Sequence, residues 1–460
     1  MKKFKLKLLE QIKTIFMISL FICSVTLATV YITRAQSSIL LHSDNFDFSL
    51  DNLSMVIGSD IFNNKLNETH YLPGFIGYKI QNNQAKGIIS DYNNIKKLYS
   101  ELSIYLIKLL GSNAECRITD DESVWEERLN GNNYIYIKYN SELPNTLIYA
   151  YLNNDIYIEN MTTAVNITEI LIVLNNFNFN QYSYTMYTRD SRGTTAEFIY
   201  NYDEDDTPLQ YLDTAFLNFY NNLACNFKFN FSNNIFYNST ILFDSDITVK
   251  GINAADFYID HNVILRYFKY NLDRKNTYQE DNGRTSIYVD EKNTIKINES
   301  GVISYDGAGI EINEYLKYSG EYTVIHMLLA TEKFIDGFVK SGEAEVNLYK
   351  IYTQNDSLII EYVYNFNGIL LYDSEYNPKP IIAYRFVIKD GYFIAVNINA
   401  VDIRDMKANR KSLTQSRMIK IYEDMFSEQS VAGDLKLGYI IDTDMEIIIP
   451  EWIYIYEEPS

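Results

Sequence analysis

The chain has 460 residues, a formal charge of −20 and 47% hydrophobic residues, which is enough for several buried cores. Aromatic residues make up 15% of it, which excludes general disorder, and the acidic balance argues against nucleic-acid binding, which needs a basic face. Only four His and three Cys are present, so zinc and haem chemistry lack most of their usual ligands, and no cofactor is predicted.

The first predicted element is a transmembrane anchor over residues 14–33, preceded by a cytoplasmic tail over residues 1–13. Its uncharged run of about twenty residues matches the thickness of a bilayer core. Lysines precede the run, and positive charge stays cytoplasmic, so we expect a single-pass protein of the cell membrane with its bulk outside. A cleaved signal peptide is the alternative, although the run is longer than a usual signal core.

The anchor also divides the charge. Residues 1–34 hold six Lys and Arg against one Glu, a charge of +5, which leaves −25 for the exported remainder. This negative charge is explained by a soluble exterior that does not adhere to anionic lipid or wall polymers. The alternative explanation is that the exterior binds a specific basic partner.

The first exported domain is predicted over residues 34–205. Apolar residues recur at helical spacing over Asp91–Leu110, and Gly111 is a natural end for that helix. The other predicted helices are Asp120–Leu129 and a short one near Ser141–Tyr151. The predicted strands are Tyr134–Tyr139, Asp155–Glu159, Glu169–Leu174, Tyr182–Thr188 and Ala196–Tyr202.

An acidic loop, Asp203–Asp206, marks the boundary of a second domain, 206–320. This domain is predicted to begin with a helix, Leu209–Leu223, and to continue into strands up to Phe243. Phe257–Tyr270 is ambiguous between strand and helix. A hairpin of Thr285–Val289 with Thr294–Ile297 follows the turn signal Asp281-Asn282-Gly283.

The third domain, 321–460, is predicted to begin with a helix over Glu321–Lys340. Ser412 and Gln415 form a capping-box pattern for a second helix that reaches about Phe426. The predicted strands are Val346–Tyr352, Leu358–Phe366, Ile381–Ile388, Tyr392–Val401, Leu435–Ile441 and Ile447–Tyr456, with turns at Asn355-Asp356 and Asp390-Gly391. The fold class is therefore α+β, with helices packed on antiparallel meander sheets.

Catalytic and metal-binding patterns are not found. No serine-hydrolase, zinc-protease, phosphate-loop or dinucleotide motif occurs in the sequence. His42, His70, His261 and His326 lack metal-ligand spacing, and each is interpreted as a surface or packed imidazole.

Cysteines, acidic loops and tryptophans are interpreted in the same way. Cys116 and Cys225 allow one disulfide by count, but two buried thiols are favoured. Asp203–Asp206 and Asp442–Asp444 lack the calcium-loop pattern and are interpreted as solvated loops. Trp125 and Trp452 are expected to pack.

The layout of the chain resembles the YycH family, membrane-anchored accessory proteins of the WalK–WalR two-component system. The resemblance covers most of the chain in order, and its stretches are Tyr92–Leu110, Trp125-Glu126-Glu127-Arg128-Leu129, Tyr134–Tyr139, Leu143-Pro144, Asn282-Gly283-Arg284, Thr285–Val289, Gly301-Val302-Ile303-Ser304-Tyr305, Leu437-Gly438-Tyr439-Ile440 and Ile449-Pro450-Glu451-Trp452. None of these stretches is a catalytic signature, so the similarity is one of layout.

The resemblance implies three extracytoplasmic domains, no catalysis, and two partners: a WalK-like sensor histidine kinase and a YycI-like anchored protein. The anchor would contact the membrane helices of the kinase. Small and hydroxyl residues allow close helix contact in lipid, and here they are Ser19, Ser24, Thr26, Ala28 and Thr29. An ordinary anchor explains the same residues. An exported cell-wall or peptide hydrolase and an anchored solute- or wall-binding protein remain alternative functions.

Overall fold

The computed structural model describes the residue ranges 68–80, 85–89, 91–111, 114–119, 121–130, 133–153, 165–174, 184–200, 227–234, 237–243, 248–256, 260–272, 276–316, 322–338, 344–373, 378–411, 415, 417–420, 433–441 and 450–456. All of them belong to the unit Asn64–Ser460. The predicted anchor and the 205/206 boundary lie outside these ranges, so the division into three exported domains stays a prediction.

The N-terminal elements are a 3-10 turn Glu68–Tyr71, β1 Phe75–Ile80, β2 Ala85–Ile89, α1 Tyr92–Leu110, β3 Ala114–Thr119, α2 Glu122–Leu129, β4 Asn133–Pro144, α3 Asn145–Asn153, β5 Asn166–Leu174, β6 Tyr184–Arg189, β7 Thr195–Tyr200, β8 Phe227–Asn234, β9 Tyr237–Phe243 and β10 Thr248–Asp256. The C-terminal elements are α4 His261–Tyr267, β11 Asn276–Glu280, β12 Thr285–Val289, β13 Asn293–Asn298, β14 Val302–Glu311, α5 Asn313–Leu316, α6 Val324–Gly337, β15 Glu345–Gln354, β16 Ser357–Phe366, β17 Ile369–Tyr372, β18 Ile382–Lys389, β19 Tyr392–Asn399, β20 Val401–Lys411, β21 Gly433–Ile440 and β22 Pro450–Tyr456.

An antiparallel sheet with the order β3-β7-β6-β5-β4-β1-β2-β8-β9 organises the N-terminal elements. Both of its faces are covered. On β4, Ile135 and Ile137 belong to the cluster that contains the apolar side of α1, whereas Tyr134 and Tyr136 belong to the cluster around Trp125 of α2. The period-two alternation of a strand therefore produces a helix–sheet–helix layering.

Helix α1 begins and ends as its sequence predicts. The Asp91 side chain accepts a hydrogen bond from the backbone N–H of Asn94 at 3.2 Å, which satisfies one of the unpaired donors of the first turn. Gly111 follows the last helical residue. Seven apolar residues at helical spacing are buried, namely Ile95, Leu98, Tyr99, Leu102, Tyr105, Leu106 and Leu109.

The C-terminal elements form a second antiparallel series with the order β11-β12-β13-β14-β19-β18-β16-β15, which the pairings β16–β17, β17–β21 and β21–β9 join to the first in one sheet. Helices α4 and α6 supply the aromatic core on one face. The Phe334 ring is fully buried and lies 4.8 Å from the Tyr267 ring, 5.2 Å from Phe386 and 6.0 Å from Phe393. Such edge-to-face contacts add to the free energy gained by burying the rings.

Parallel pairing occurs beside these antiparallel sheets. Strand β17 follows β16 in a hairpin and pairs parallel with β21, and β21 pairs antiparallel with β22. A single parallel pair, Gly433 with Tyr237, joins β21 to β9. Strands β10 and β20 form a separate two-stranded sheet. The fold is therefore α+β and sheet-rich, as predicted, but it is not purely antiparallel.

Three tight hairpin turns have two consecutive residues with positive φ, the conformation that matches strand twist. The predicted turn Asn355-Asp356 has φ values of 52° and 58°, and the predicted turn Asp390-Gly391 has 51° and 81°. The sequence analysis did not anticipate the third turn, Asn367-Gly368, at 53° and 87°.

Some element boundaries differ from the predictions. The helix expected near Ser141–Tyr151 begins only at Asn145, because β4 continues to Pro144 and pairs Leu143 with Ile167 of β5. Proline also disfavours helical geometry in the residue before it. The ambiguous stretch around His261–Tyr267 is a helix, with the Asp260 side chain accepting a hydrogen bond from Asn262 N–H at its start.

Candidate functional site

A buried polar network joins the 3-10 turn to helix α6. The Tyr71 hydroxyl donates a hydrogen bond to the Glu332 carboxylate, and both side chains are buried. One residue earlier on α6, the Thr331 hydroxyl donates to the Leu328 carbonyl at 2.7 Å. Thr331 therefore accepts from the Tyr362 hydroxyl of β16, 2.6 Å away. Polar side chains are buried at little net cost only when they are satisfied in this way.

His70 extends the network to strand β15. Its Nδ1 donates to the Val346 carbonyl, because a carbonyl can only accept, and Nδ1 therefore carries the proton of the neutral ring. The other nitrogen, Nε2, is buried without a hydrogen-bond partner among the described residues. The Tyr362 ring lies edge-on, 5.7 Å from the imidazole.

The electrostatics of this network follow from burial. Burial lowers the pKa of His70 below its ordinary 6.5, against the opposing effects of the Val346 carbonyl and the Asp336 charge. Burial, followed by the Glu332 charge, raises the pKa of Tyr71 well above 10, and Tyr362 shifts in the same direction for the same causes. Both phenols therefore remain protonated donors at neutral pH.

Two further side chains of β4 contact the C-terminal elements. The Ser141 hydroxyl donates to the Leu348 carbonyl at 2.8 Å, and Asn140 Nδ2 donates to the Gly368 carbonyl at 3.4 Å. Together with His70, these side chains donate to carbonyls of β15 and of the turn before β17, and among the described strands β15 pairs with β16 alone. Side chains of the N-terminal elements thus cover an edge strand that would otherwise offer a template for another chain.

An open cleft lies next to these contacts, between the N-terminal sheet and strands β17, β21 and β22. Its cavity volume is about 80 Å³, and it opens to solvent. Its lining residues are Gly74, Phe75, Lys138, Tyr139, Asn140, Gly368, Ile369, Leu370, Tyr372, Leu435, Lys436, Leu437 and Trp452. Most of these described lining residues are apolar, and the two charged ones among them are lysines.

The described histidines and tryptophans each pack against protein partners of their own. His261 contacts the Tyr288 hydroxyl at 2.7 Å, and His326 completes a capping box with Thr323. His70, His261 and His326 are thus packed against protein partners, as interpreted from the sequence, and His42 lies outside the described residues. Both tryptophans are packed as expected, with Trp125 at 0% exposure and Trp452 at 4%.

Other candidates are placed only in part. Cys116 is partly buried against the main core, whereas Cys225 lies outside the described residues, so the expectation of two buried thiols without a disulfide stays a prediction. The two acidic loops and the membrane-contact candidates Ser19, Ser24, Thr26, Ala28 and Thr29 also lie outside. Within the described ranges, no helix is both long and apolar enough to span a membrane, and no cluster of His, Cys, Asp and Glu is suited to a metal ion.

The sequence analysis did not anticipate the buried network. His70 and Tyr71 are 261 positions or more from their partners, and nothing in a single sequence marks such pairs. Chemically, the network can join elements of the fold. It buries a carboxylate, an imidazole and two phenols in mutual contact. The cleft, in contrast, has apolar lining residues that are themselves mostly buried, among them Phe75, Ile369 and Trp452.

Comparison with known proteins gives one informative match. No protein-family model matches the chain, and no curated protein matches it in sequence. The crystal structure of YycH from Bacillus subtilis superposes with a TM-score of 0.54 at 11% identity, covering 85% of this chain and 96% of that one. The chain therefore has a YycH-like fold.

Proposed function

We propose that the protein is a membrane-anchored extracytoplasmic regulator that tunes a sensor histidine kinase by protein–protein contact. The observation that carries this proposal is the YycH-like fold, which extends over 96% of the YycH chain and is not limited to a single shared motif. The sequence stretches that resemble the YycH family also support it.

The proposed arrangement has two contacts. The anchor, residues 14–33, lies against the membrane helices of a WalK-like kinase, and the exported part binds a YycI-like anchored protein. A regulator of this kind needs no catalytic group. It needs only a difference in contact free energy between two states of the kinase, typically about 1–3 kcal/mol.

Co-purification tests the proposal. The full chain, tagged at its C terminus, is extracted from membranes in mild detergent after brief cross-linking. We expect a sensor histidine kinase and a second, smaller anchored protein to be recovered in defined ratio. Recovery of neither, with the chain itself folded and membrane-bound, would contradict the proposal.

A matched control uses the anchor. A chain whose residues 14–33 are replaced by an unrelated transmembrane helix keeps the exported part in place. This variant is expected to lose the kinase but to keep the smaller protein, since the two contacts are assigned to different parts of the chain.

A further inference from the structure

Strand β3 is a border strand of the N-terminal sheet. Among the described strands it pairs with β7 alone, and its register runs from Ala114 to Thr119 without a bulge. The strand contains no proline, and its Ile118 side chain is 57% exposed. Natural proteins commonly protect a border strand with a bulge, a proline or a covering element, because an open edge pairs readily with another chain. Strand β3 has neither of the first two, and no described strand pairs with its outer side.

The peptide groups on this outer side follow from the β6–β7 hairpin. Asp190 N–H donates to the Thr194 carbonyl at 3.1 Å, so these residues form a hydrogen-bonded pair at the end of the hairpin. Such pairs alternate along antiparallel strands, so Met186 with Phe198 is also a hydrogen-bonded pair, and Phe198 turns its peptide groups toward β6. Cys116, opposite Phe198 on β3, therefore turns its own N–H and carbonyl to the outer edge.

The charges of β3 match those of a second β3. When two copies pair antiparallel about a two-fold axis, residues with outward peptide groups stand opposite each other. An axis at Cys116 places Glu115 of each copy opposite Arg117 of the other. A shift of the axis by one residue places Glu115 opposite Glu115, or Arg117 opposite Arg117. Opposite charges stabilise a cross-strand pair and like charges destabilise it, so the charge pattern selects the axis at Cys116.

This register also uses the remaining groups of the edge. Residues 114–118 of the two copies overlap, and the outward peptide groups of Ala114, Cys116 and Ile118 form about six hydrogen bonds. Ile118, which is exposed in the single chain, comes to stand opposite Ala114 of the second copy. The whole chain has a charge of −20, so two copies repel each other over most of their surface. An edge whose charges are self-complementary offsets that repulsion locally.

We propose that β3 is a self-association edge, through which two copies of the chain join their N-terminal sheets into one antiparallel sheet with Cys116 at the two-fold axis. The occupant is a second copy because Glu115-Cys116-Arg117 is complementary in charge to itself when it is paired antiparallel. The kinase contact proposed above is assigned to the anchor, so this inference does not rest on it.

Energy transfer between two fluorescent forms of the full chain tests the inference. Purified chains that carry a donor or an acceptor at the C terminus are mixed in detergent at about 0.15 M salt. Transfer is expected to saturate with a Kd of about 1–100 μM. Arg117→Glu alone, or Glu115→Arg alone, places like charges opposite each other at both charged pairs. Each change is expected to raise the Kd about fivefold or more.

Combining the two changes is expected to restore association. When one partner carries Arg117→Glu and the other Glu115→Arg, each acidic residue again stands opposite an arginine, so the Kd should return to within about twofold of the unsubstituted chain. A chain with both changes should associate with itself equally well for the same reason. A loss of folding in either single variant cannot produce this recovery.

Two exposed residues of α1 provide matched controls. Lys97→Glu and Glu101→Arg change the net charge of the chain by the same amounts as the two β3 substitutions. Charges outside the paired edge are screened by salt, so both controls should leave the Kd unchanged within about twofold. Thermal unfolding of all variants is measured alongside.

Three results would overturn the inference. One is the absence of saturable transfer up to about 100 μM. Another is a Kd that the single β3 substitutions change no more than the α1 controls do. The third is a mixed pair that associates no better than either single variant, as expected if β3 bound a different protein. The assay contains only this chain, so its outcome is independent of whether a kinase is recovered from membranes.

Discussion

The Tyr71 hydroxyl donates a hydrogen bond to the Glu332 carboxylate across 261 positions of sequence. This bond ties the first described element of the chain to helix α6 in the C-terminal part.

Removing the hydroxyl tests that connection. Tyr71→Phe leaves a buried carboxylate without this donor, so the free energy of unfolding is expected to fall by about 1–3 kcal/mol. Urea denaturation followed by tyrosine and tryptophan fluorescence measures it. Tyr278→Phe is the matched control, because Tyr278 is 56% exposed, and it should leave the midpoint unchanged. Equal midpoints for both variants would show that the bond is not formed in solution.

Stability should also depend on pH through His70. Its folded-state pKa is lowered from 6.5 by burial, so the unfolded state binds more protons as pH falls through 6.5. The free energy of unfolding is therefore expected to be at its full value above pH 6.5 and to decrease as the pH is lowered below it. Urea midpoints measured between pH 5 and pH 8 record this decrease, with the pH limits chosen to lie about 1.5 units on either side of the ordinary value.

Substitution of the buried histidines tests whether they cause the decrease in unfolding free energy at low pH. His70→Gln should make it smaller, and His70→Gln combined with His326→Gln should reduce it further, because burial lowers the pKa of His326 too. If His70→Gln shows the full wild-type decrease, the imidazole is not buried as the structure has it.

One residue of helix α2 is expected to contribute strongly to the stability of the fold. Trp125 is fully buried against the face of the N-terminal sheet that α2 covers, so Trp125→Ala should cost about 3–5 kcal/mol of unfolding free energy. Glu127→Ala on the exposed side of the same helix should change it by less than about 0.5 kcal/mol. A calorimetric scan that finds no difference between the two variants would contradict the packing of α2.

The anchor supplies a prediction about specificity. Replacing Ser19, Ser24, Thr26, Ala28 and Thr29 together with Leu makes the segment more apolar, so membrane insertion should persist. Recovery of the kinase should nevertheless fall by about fivefold or more, because bulky side chains prevent close helix contact. The control replaces Ile15, Ile18, Ile22, Val25 and Val30 with Leu and should leave recovery unchanged. Equal recovery of the kinase with both variants would show that residues 14–33 are an ordinary membrane anchor.

Local features were predictable from the sequence because their causes are local. The α1 helix follows from its 3.6-residue apolar period, its Asp91 cap and Gly111, and the turns at Asn355-Asp356 and Asp390-Gly391 follow from residues that tolerate positive φ. The α+β class follows from the same patterns.

Long-range features were not predictable, since they depend on which strands meet. The parallel pairing of β17 with β21 places Leu370 beside Gly438, and the residue pattern of neither strand predicts that pairing. The extension of β4 to Pro144 was missed for the same reason, because it depends on the pairing of Leu143 with Ile167 of β5. The cleft exists only where these pairings stop.

The most direct test of the central claim is kinase activity in a reconstituted membrane. The sensor histidine kinase recovered with the chain is placed in proteoliposomes with and without the full-length protein, and its rate of autophosphorylation is measured. We predict a change of about fivefold or more, in one direction and saturable with protein, as expected for a coupling free energy of at least about 1 kcal/mol. An unchanged rate at saturating protein, with both proteins correctly inserted, would contradict the account.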